Sequence, residues 1–364
     1  MSVLHVTQPT TEGVGHHVRE AVADQSRRGW SVTLAAPSDV ALEAFCDGHG
    51  VTRVRWDATR GPSAATGREI RLLHRIMQDV APDVVHLHSS KAGLAGRLAL
   101  RGGRPTMFTP HAWSFLHGGA MTRLLALRWE RIAARWANVI VCVSEAERDL
   151  ARARGIDADL VVLRNAVDLE RYAPLSIDER RAVRAALGVG DAPVAVCVGR
   201  LARQKGQDVL LEAWPTVHRS VPDATLLLVG DGPDREELAA RRTPGVQLLG
   251  TRDDVPALLG AADVAVLPSR WEGASYVLLE AMACGASVVA TDVPGTREAL
   301  PDDGGAVVAV GEPRPLADAI ATRLSDLRRA HAEGAVARDA ARTFDARCWG
   351  DALATLTEAA AGAR

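Results

Sequence analysis

Val194-Ala195-Val196-Cys197-Val198-Gly199-Arg200-Leu201-Ala202-Arg203-Gln204-Lys205-Gly206 starts as a run of five apolar residues and ends in a glycine-punctuated turn carrying three cations. An apolar run without polar alternation suits a strand covered on both faces, as in a parallel sheet, and the turn opens a helix. Similar runs recur about every 25 to 30 residues with helical patterns between them, the pattern of βα units. Before this stretch, strands are expected at Val3–Thr7, Ser31–Ala36, Val51–Trp56, Asp83–His88, Pro105–Thr109, Val139–Val143 and Leu160–Leu163. From it onward they are expected at Val194–Val198, Thr225–Val229, Val246–Leu248, Val264–Leu267, Ser287–Ala290 and Ala306–Val308. Two α/β units follow, each a doubly wound parallel sheet.

The composition agrees with two cores. The chain has 364 residues, 47% of them hydrophobic, which excludes disorder and small disulfide scaffolds. The expected domains are 1–170 and 171–342, with a helix over 343–364 packing back on the first. The 43 basic and 45 acidic residues nearly cancel, so nothing suggests a nucleic-acid partner. Up to Asp168 there are 21 basic and 17 acidic groups, and beyond it 22 and 28, which favours separate roles for the two halves. Nine of the eleven histidines lie in the first half. Only Lys91 and Lys205 are lysine; every other basic residue is arginine. Five cysteines without a CxxC pair read as buried thiols in a reducing compartment. The start of the sequence has no leader pattern and no run reaches a membrane span, so a cytoplasmic protein is expected.

In open α/β sheets ligands bind beyond the carboxyl ends of the strands. Glu12-Gly13-Val14-Gly15-His16-His17-Val18 follows the first strand as a glycine-rich turn opening a helix. It fails as a dinucleotide fingerprint because Val18 occupies the third glycine position and no acidic residue ends the second strand. It is either a backbone cradle for a phosphate or sugar, or a tight turn without a ligand. His86 and His88 share one strand face, with Ser89-Ser90-Lys91 following. A metal site with His111 as third ligand is conceivable, but no acidic ligand has a convincing spacing, and hydrogen-bonded core histidines are the simpler reading. Pro110 holds His111 at the end of the fifth strand, where it suits a sugar hydroxyl or acid–base work. The helix Met121–Trp136 mixes Leu124, Leu125, Trp129 and Trp136 with Arg123, Arg128, Arg131 and Arg135; it lies on an anionic membrane or packs with solvated arginines.

In the second half, Gly199, Arg200 and Lys205 place cations at a helix start, which suits a diphosphate. Gly230-Asp231-Gly232-Pro233 repeats the strand–turn–helix theme. Glu272-Gly273-Ala274-Ser275-Tyr276-Val277-Leu278-Leu279-Glu280 spaces two carboxylates by eight residues, about 12 Å if wholly helical. Alone, each glutamate reads as a solvated surface group. With Arg200 and Lys205 they read as a ligand site.

These motifs resemble those of retaining glycosyltransferases of the GT-B fold, family 4. The resemblance covers nearly the whole chain, from Gly13 and Gly15 through Pro110-His111 and Asn165-Ala166-Val167-Asp168 to the Glu272–Glu280 run. It implies two Rossmann-like domains facing a cleft, an acceptor-binding one and a nucleotide-sugar-binding one. Arg200 and Lys205 would hold the donor diphosphate, Glu272 the sugar hydroxyls and Glu280 the ribose. Gly199, Gly273, Ala274, Ser275, Tyr276 and Val277 would line the donor site, and Gly230, Asp231 and Arg252 would border the base. His111 and Gly15 would face the transferred sugar and the diphosphate. Glu12, His16, His88 and Lys91 are candidates on the acceptor side. The implied reaction passes a sugar from a nucleoside diphosphate, a UDP-sugar first, to a hydroxyl of a saccharide, small molecule or lipid-linked acceptor, with retention and without metal. Glu12 in place of a glycine, Ala166 at the junction and Ser275 depart from the usual pattern. A NAD-dependent oxidoreductase and a two-lobed sugar-binding protein are the alternatives.

Overall fold

The computed structural model describes every residue except Arg60, His117 and Arg364, and every side chain of the remainder except that of Glu12. Cα proximity divides the chain into two compact units, Met1–Asn165 with Arg347–Arg364, and Ala166–Ala346.

In the first unit, β1 (Ser2–Thr7), β2 (Ser31–Ala36), β3 (Thr52–Arg55), β4 (Val84–His88), β5 (Thr106–Thr109), β6 (Val139–Cys142) and β7 (Leu160–Val162) form one parallel sheet in the order β3-β2-β1-β4-β5-β6-β7. In the second, β8 (Val194–Val198), β9 (Thr225–Val229), β10 (Val246–Gly250), β11 (Val264–Leu267), β12 (Ser287–Thr291) and β13 (Gly305–Val308) form another, ordered β10-β9-β8-β11-β12-β13. Every expected strand is present, with ends shifted by at most two residues. The GT-B architecture accounts for both sheets.

Leu4, Val85, Leu87 and Phe108 are buried in the first sheet, Val194, Leu227, Val264 and Val288 in the second, as continuous apolar strands require. Two of the buried tryptophans satisfy their one polar atom locally. Trp56 Nε1 donates to the Glu69 carbonyl and Trp214 Nε1 to the Pro244 carbonyl, both at 3.1 Å.

Each sheet reverses its strand order once, between β1 and β4 and between β8 and β11. Those two switch points are where ligands enter such sheets. The chain closes with the helix Ala346–Gly362, which belongs to the first unit. Asp351 pairs with Arg28 at 2.6 Å, and Trp349 meets His17 edge-on with ring centroids 5.1 Å apart.

Two expectations about burial are corrected. Cys46, Cys142, Cys197 and Cys284 are buried, but Cys348 is exposed, because it lies on the outer side of this last helix. Leu124 and Leu125 are 44% and 57% exposed on the helix Ala120–Ala133, so they are not part of a packing face; Met121 and Ile132 are exposed with them. Among the described residues no helix is long and apolar enough to cross a membrane.

Candidate functional site

The second switch point gathers the cationic turn and one of the two glutamates. The turn after β8 closes in a short 3-10 helix, Arg203–Lys205, before the helix Gln207–Ser220 starts at Gly206. Gly206 has φ +68°, and a Cβ there would collide with the Pro268 carbonyl. That contact locks the turn against the loop after β11, where Glu272 sits. Lys205 Nζ reaches Glu272 Oε1 at 2.5 Å, and Ser269 Oγ donates to the same oxygen at 2.8 Å. Lys205, Ser269, Glu272, Ser275 and Val277 line one recess. The pair is partly screened, with side-chain exposures of 23% and 10%. Arg200, in the same turn, is partly exposed, and its carbonyl accepts from Gln207 Nε2 at 2.9 Å.

The Glu272–Glu280 stretch is not wholly helical. The helix runs Tyr276–Ala283, with Ser275 as N-cap accepting from Leu278 N at 3.4 Å. Glu272, Gly273 and Ala274 therefore lie in the loop, because a capping serine competes for the first free amide. Tyr276 and Glu280 are buried on the helix. Burial pushes the Glu280 carboxyl up to about 7 against a hydrogen bond from the Tyr172 hydroxyl and the nearby cations Arg171 and Lys205, which act in the opposite direction. Tyr172 was not singled out in the sequence, since a lone tyrosine far from any motif gives no local sign of its partner.

The neighbouring loop after β9 is held to the turn after β8 through its backbone. Gly230, with φ +134°, passes so close to Gly199 that a Cβ would strike the Gly199 carbonyl. Leu201 N donates to the Asp231 carbonyl at 2.9 Å. The Asp231 side chain bonds Gly232 N and Arg235, both at 2.7 Å, and Arg252 is exposed and paired with Asp254 at 2.6 Å.

At the first switch point, helix Glu12–Arg27 begins at Glu12, so Gly13 and Gly15 lie in its first turn rather than in a preceding loop. Gly15 is needed there because a Cβ would collide with the Thr10 carbonyl. The Glu12 side chain lies outside the described residues. His16 is partly exposed on this helix.

Two acceptor-side candidates are corrected. Lys91 is only 3% exposed; its ammonium pairs with Glu69 at 2.5 Å and donates to the Gly61 carbonyl at 3.0 Å and Thr66 Oγ1 at 3.1 Å. A buried ammonium must have its donors used, and here all three are. His88 is fully buried behind His111, not presented to an acceptor. It belongs to a histidine cluster that β1, β4 and the loop after β5 assemble. His5 Nδ1 meets His88 Nε2 at 3.0 Å, His88 Nδ1 meets His111 Nε2 at 3.4 Å, and His86 Nε2 meets Thr109 Oγ1 at 2.8 Å. Burial holds all of these rings well below the usual histidine range, His5 at about 4. Two triplets, His5–His86–His88 and His17–His88–His111, bring ring nitrogens within 4.8 Å of one another, as a metal needs, but both nitrogens of His5 and of His88 already have protein partners.

His111 stands on an unusual corner, with φ +53° there and +97° at Ala112. Such backbone costs about 1–3 kcal/mol per residue and persists only where its surroundings enforce it. Glu147 does so. Its two carboxylate oxygens accept from Ala112 N at 2.7 Å and Val143 N at 2.8 Å, while its carbonyl accepts from Trp113 Nε1 at 2.9 Å. The sequence reading missed Glu147, although Ser144-x-x-Glu147 carries the spacing of a helix-start capping box. Asp157 and Asp159, spaced as an Asp-x-Asp pair, are exposed ahead of β7.

Two doubly wound parallel sheets in one chain are the GT-B arrangement, and in the second a lysine and a glutamate join at the switch point. Comparison with known proteins narrows this. Residues 192–326 match the model described as glycosyl transferases group 1, and residues 11–171 match glycosyltransferase family 4. The chain is 34% identical over 316 residues to the alpha-maltose-1-phosphate synthase of Mycolicibacterium smegmatis, covering 80% of this chain and 78% of that one. It is 30% identical over 372 residues to the GDP-mannose-dependent alpha-(1-6)-phosphatidylinositol monomannoside mannosyltransferase of Mycobacterium tuberculosis, covering 93% and 92%. The crystal structure of HepE from Anabaena with UDP and glucose superposes with a TM-score of 0.85 at 24% identity, over 99% of this chain and all of that one. The chain belongs to glycosyltransferase family 4 and is a glycosyltransferase. The oxidoreductase and sugar-binding alternatives are not favoured; Val18, in place of the fingerprint's third glycine, is simply a core residue.

Proposed function

We propose that this chain transfers a glycosyl group from a nucleoside diphosphate sugar to an acceptor hydroxyl with retention of anomeric configuration. The observation that carries this reading is the Lys205–Glu272–Ser269 cluster at the switch point of the second sheet. Lys205 and Arg200 take up charge on the departing diphosphate, Glu272 accepts from sugar hydroxyls, and Glu280 accepts from the ribose. The anomeric carbon–oxygen bond to the phosphate breaks while the acceptor oxygen bonds to the same face. The acceptor proton passes to the leaving phosphate oxygen. In the first unit, His111 is the group assigned to the sugar. No step draws on a metal.

The donor is taken first as a UDP-sugar. Relatives carry names with both kinds of donor, GDP-mannose in the mycobacterial mannosyltransferase and UDP-galactose in an Escherichia coli galactosyltransferase 31% identical over 62% of this chain. Melting the protein with UDP-, GDP-, TDP- and ADP-sugars separates them. A ligand at 100 times its dissociation constant adds about 2.7 kcal/mol to the folded state. The UDP-sugar is expected to raise Tm most, and release of nucleoside diphosphate is expected to follow the same preference. No shift with any of the four would remove the donor-site reading.

For the acceptor, the exposed Met121, Leu124, Leu125 and Ile132 beside Arg123 and Arg128 favour a lipid-linked substrate met at an anionic membrane surface. Flotation with phosphatidylglycerol vesicles should recover the protein, and Leu124→Glu with Leu125→Glu should release it. Equal recovery of wild type and variant would turn the choice back to a small soluble acceptor.

A further inference from the structure

Four side chains stand in line behind His111, and their order fixes where its proton lies. Thr357, buried on the closing helix of the first unit, donates its only hydroxyl proton to the Leu353 carbonyl at 2.7 Å. Its oxygen is left as an acceptor, and Gln25 Nε2 donates to it at 3.4 Å. The Gln25 amide is thereby oriented with Oε1 toward His5 Nε2, 2.8 Å away. An amide oxygen only accepts, so His5 carries its proton on Nε2 and offers a bare Nδ1 to His88 Nε2. By the same step, His88 protonated on Nε2 offers a bare Nδ1 to His111 Nε2.

We propose that Thr357, Gln25, His5 and His88 form a polarised relay that holds His111 as the neutral Nε2–H tautomer, so that its Nδ1 stays unprotonated and acts as an acceptor. Every ring in the relay has to be neutral for this polarity, and full burial of His5 and His88 keeps them so. None of the four touches substrate in this scheme; they are positioning residues. The Glu147 clamp fixes the backbone of His111, and the relay fixes its proton. Assigning His111 to the sugar rests on the transfer reading above, whereas the relay itself does not.

The test uses the full chain labelled with 15N-histidine and long-range 1H–15N correlation without any donor. His5, His88 and His111 are expected as Nε2–H tautomers. Thr357→Val removes the acceptor that orients Gln25 and should turn these rings into mixed tautomers, with kcat falling about 10-fold to 100-fold at unchanged donor KM. Thr357→Ser should restore both. A wild-type His111 protonated on Nδ1, or tautomers unmoved in Thr357→Val, overturns the relay. Tautomers that move while turnover stays at the wild-type rate uphold the relay and overturn instead the role given to His111 in transfer. The wild-type spectrum decides the assignment even if the valine variant folds poorly.

Discussion

Lys205→Ala should lower kcat for glycosyl transfer by about two to three orders of magnitude, the range for removing one fixed donor aimed at developing charge. The ammonium is the only lysine in the second unit, and it is held on Glu272 with Ser269 bonded to the same oxygen. Removing it leaves Glu272 without its cation and the departing diphosphate without a compact positive charge. Glu272→Ala should produce a loss of similar order, and the double variant should cost little more than either single change, since the two residues act as a unit. Lys205→Arg should also impair turnover. A planar guanidinium cannot occupy the site of a compact ammonium within 2.5 Å of one carboxylate oxygen and keep the same reach. Arg181→Lys, on an exposed helix with its own Asp178 partner, should leave turnover unchanged. Initial rates of nucleoside diphosphate release across these variants check the set. Wild-type rates in Lys205→Ala or Glu272→Ala would remove both residues from the site.

The sheets were legible because their signal is local and redundant. A run such as Val194–Val198 or Thr225–Val229 is apolar through and through, and only a strand covered on both faces uses such a run so often in one chain. The gathering of Lys205 and Glu272 was legible for a related reason, since residues after strands converge at a switch point whatever their spacing in sequence. What failed depended on partners that sequence distance hides. Lys91 read as a free cation beyond β4, but Glu69, 22 positions earlier on another helix, takes it into the core. Period-2 alternation rightly put His86 and His88 on one face, and β1 sets His5 beside His86 there, as core histidines; only the acceptor-side placement of His88 fails, because its partners His5 and His111 lie far off in sequence. Whether Glu272 and Glu280 share one helix was left open, because the capping role of Ser275 was not weighed against the apolar run after it. Glu147 and Tyr172 carry no local pattern that names the strained corner or the buried carboxylate they serve.

Acidification should unfold the first unit while the second holds. In the first, burial lowers five histidines, His5 to about 4, His17 to about 3, and His86, His88 and His111 well below their usual range. An unfolded histidine titrates near 6.5, so below that pH the unfolded chain binds protons that the folded unit refuses, and stability falls as pH falls. Each such ring is worth up to about 1.4 kcal/mol per pH unit. Glu147 acts oppositely. Its carboxyl is raised to about 7 by burial, so its contribution is fully present below the unfolded value and is lost as pH rises toward 7. One raised carboxylate against five lowered imidazoles leaves a net loss of several kcal/mol between pH 6.5 and 5, comparable with the whole stability of a domain. The second unit has the reverse balance, because Glu280, also raised to about 7, favours its folded state as pH drops. Hydrogen exchange of the intact chain at pH 7.5 and 5.5, compared as protection factors, reads both units at once. Amides of Leu4, Val85 and Met107 should lose protection at pH 5.5, while those of Val196 and Leu227 keep theirs. Equal loss in both sheets would mean that the histidine cluster is not the acid-sensitive element. Retained protection in the first would mean that its rings accept protons in place, which a hydrogen-bonded chain of neutral imidazoles cannot do without breaking.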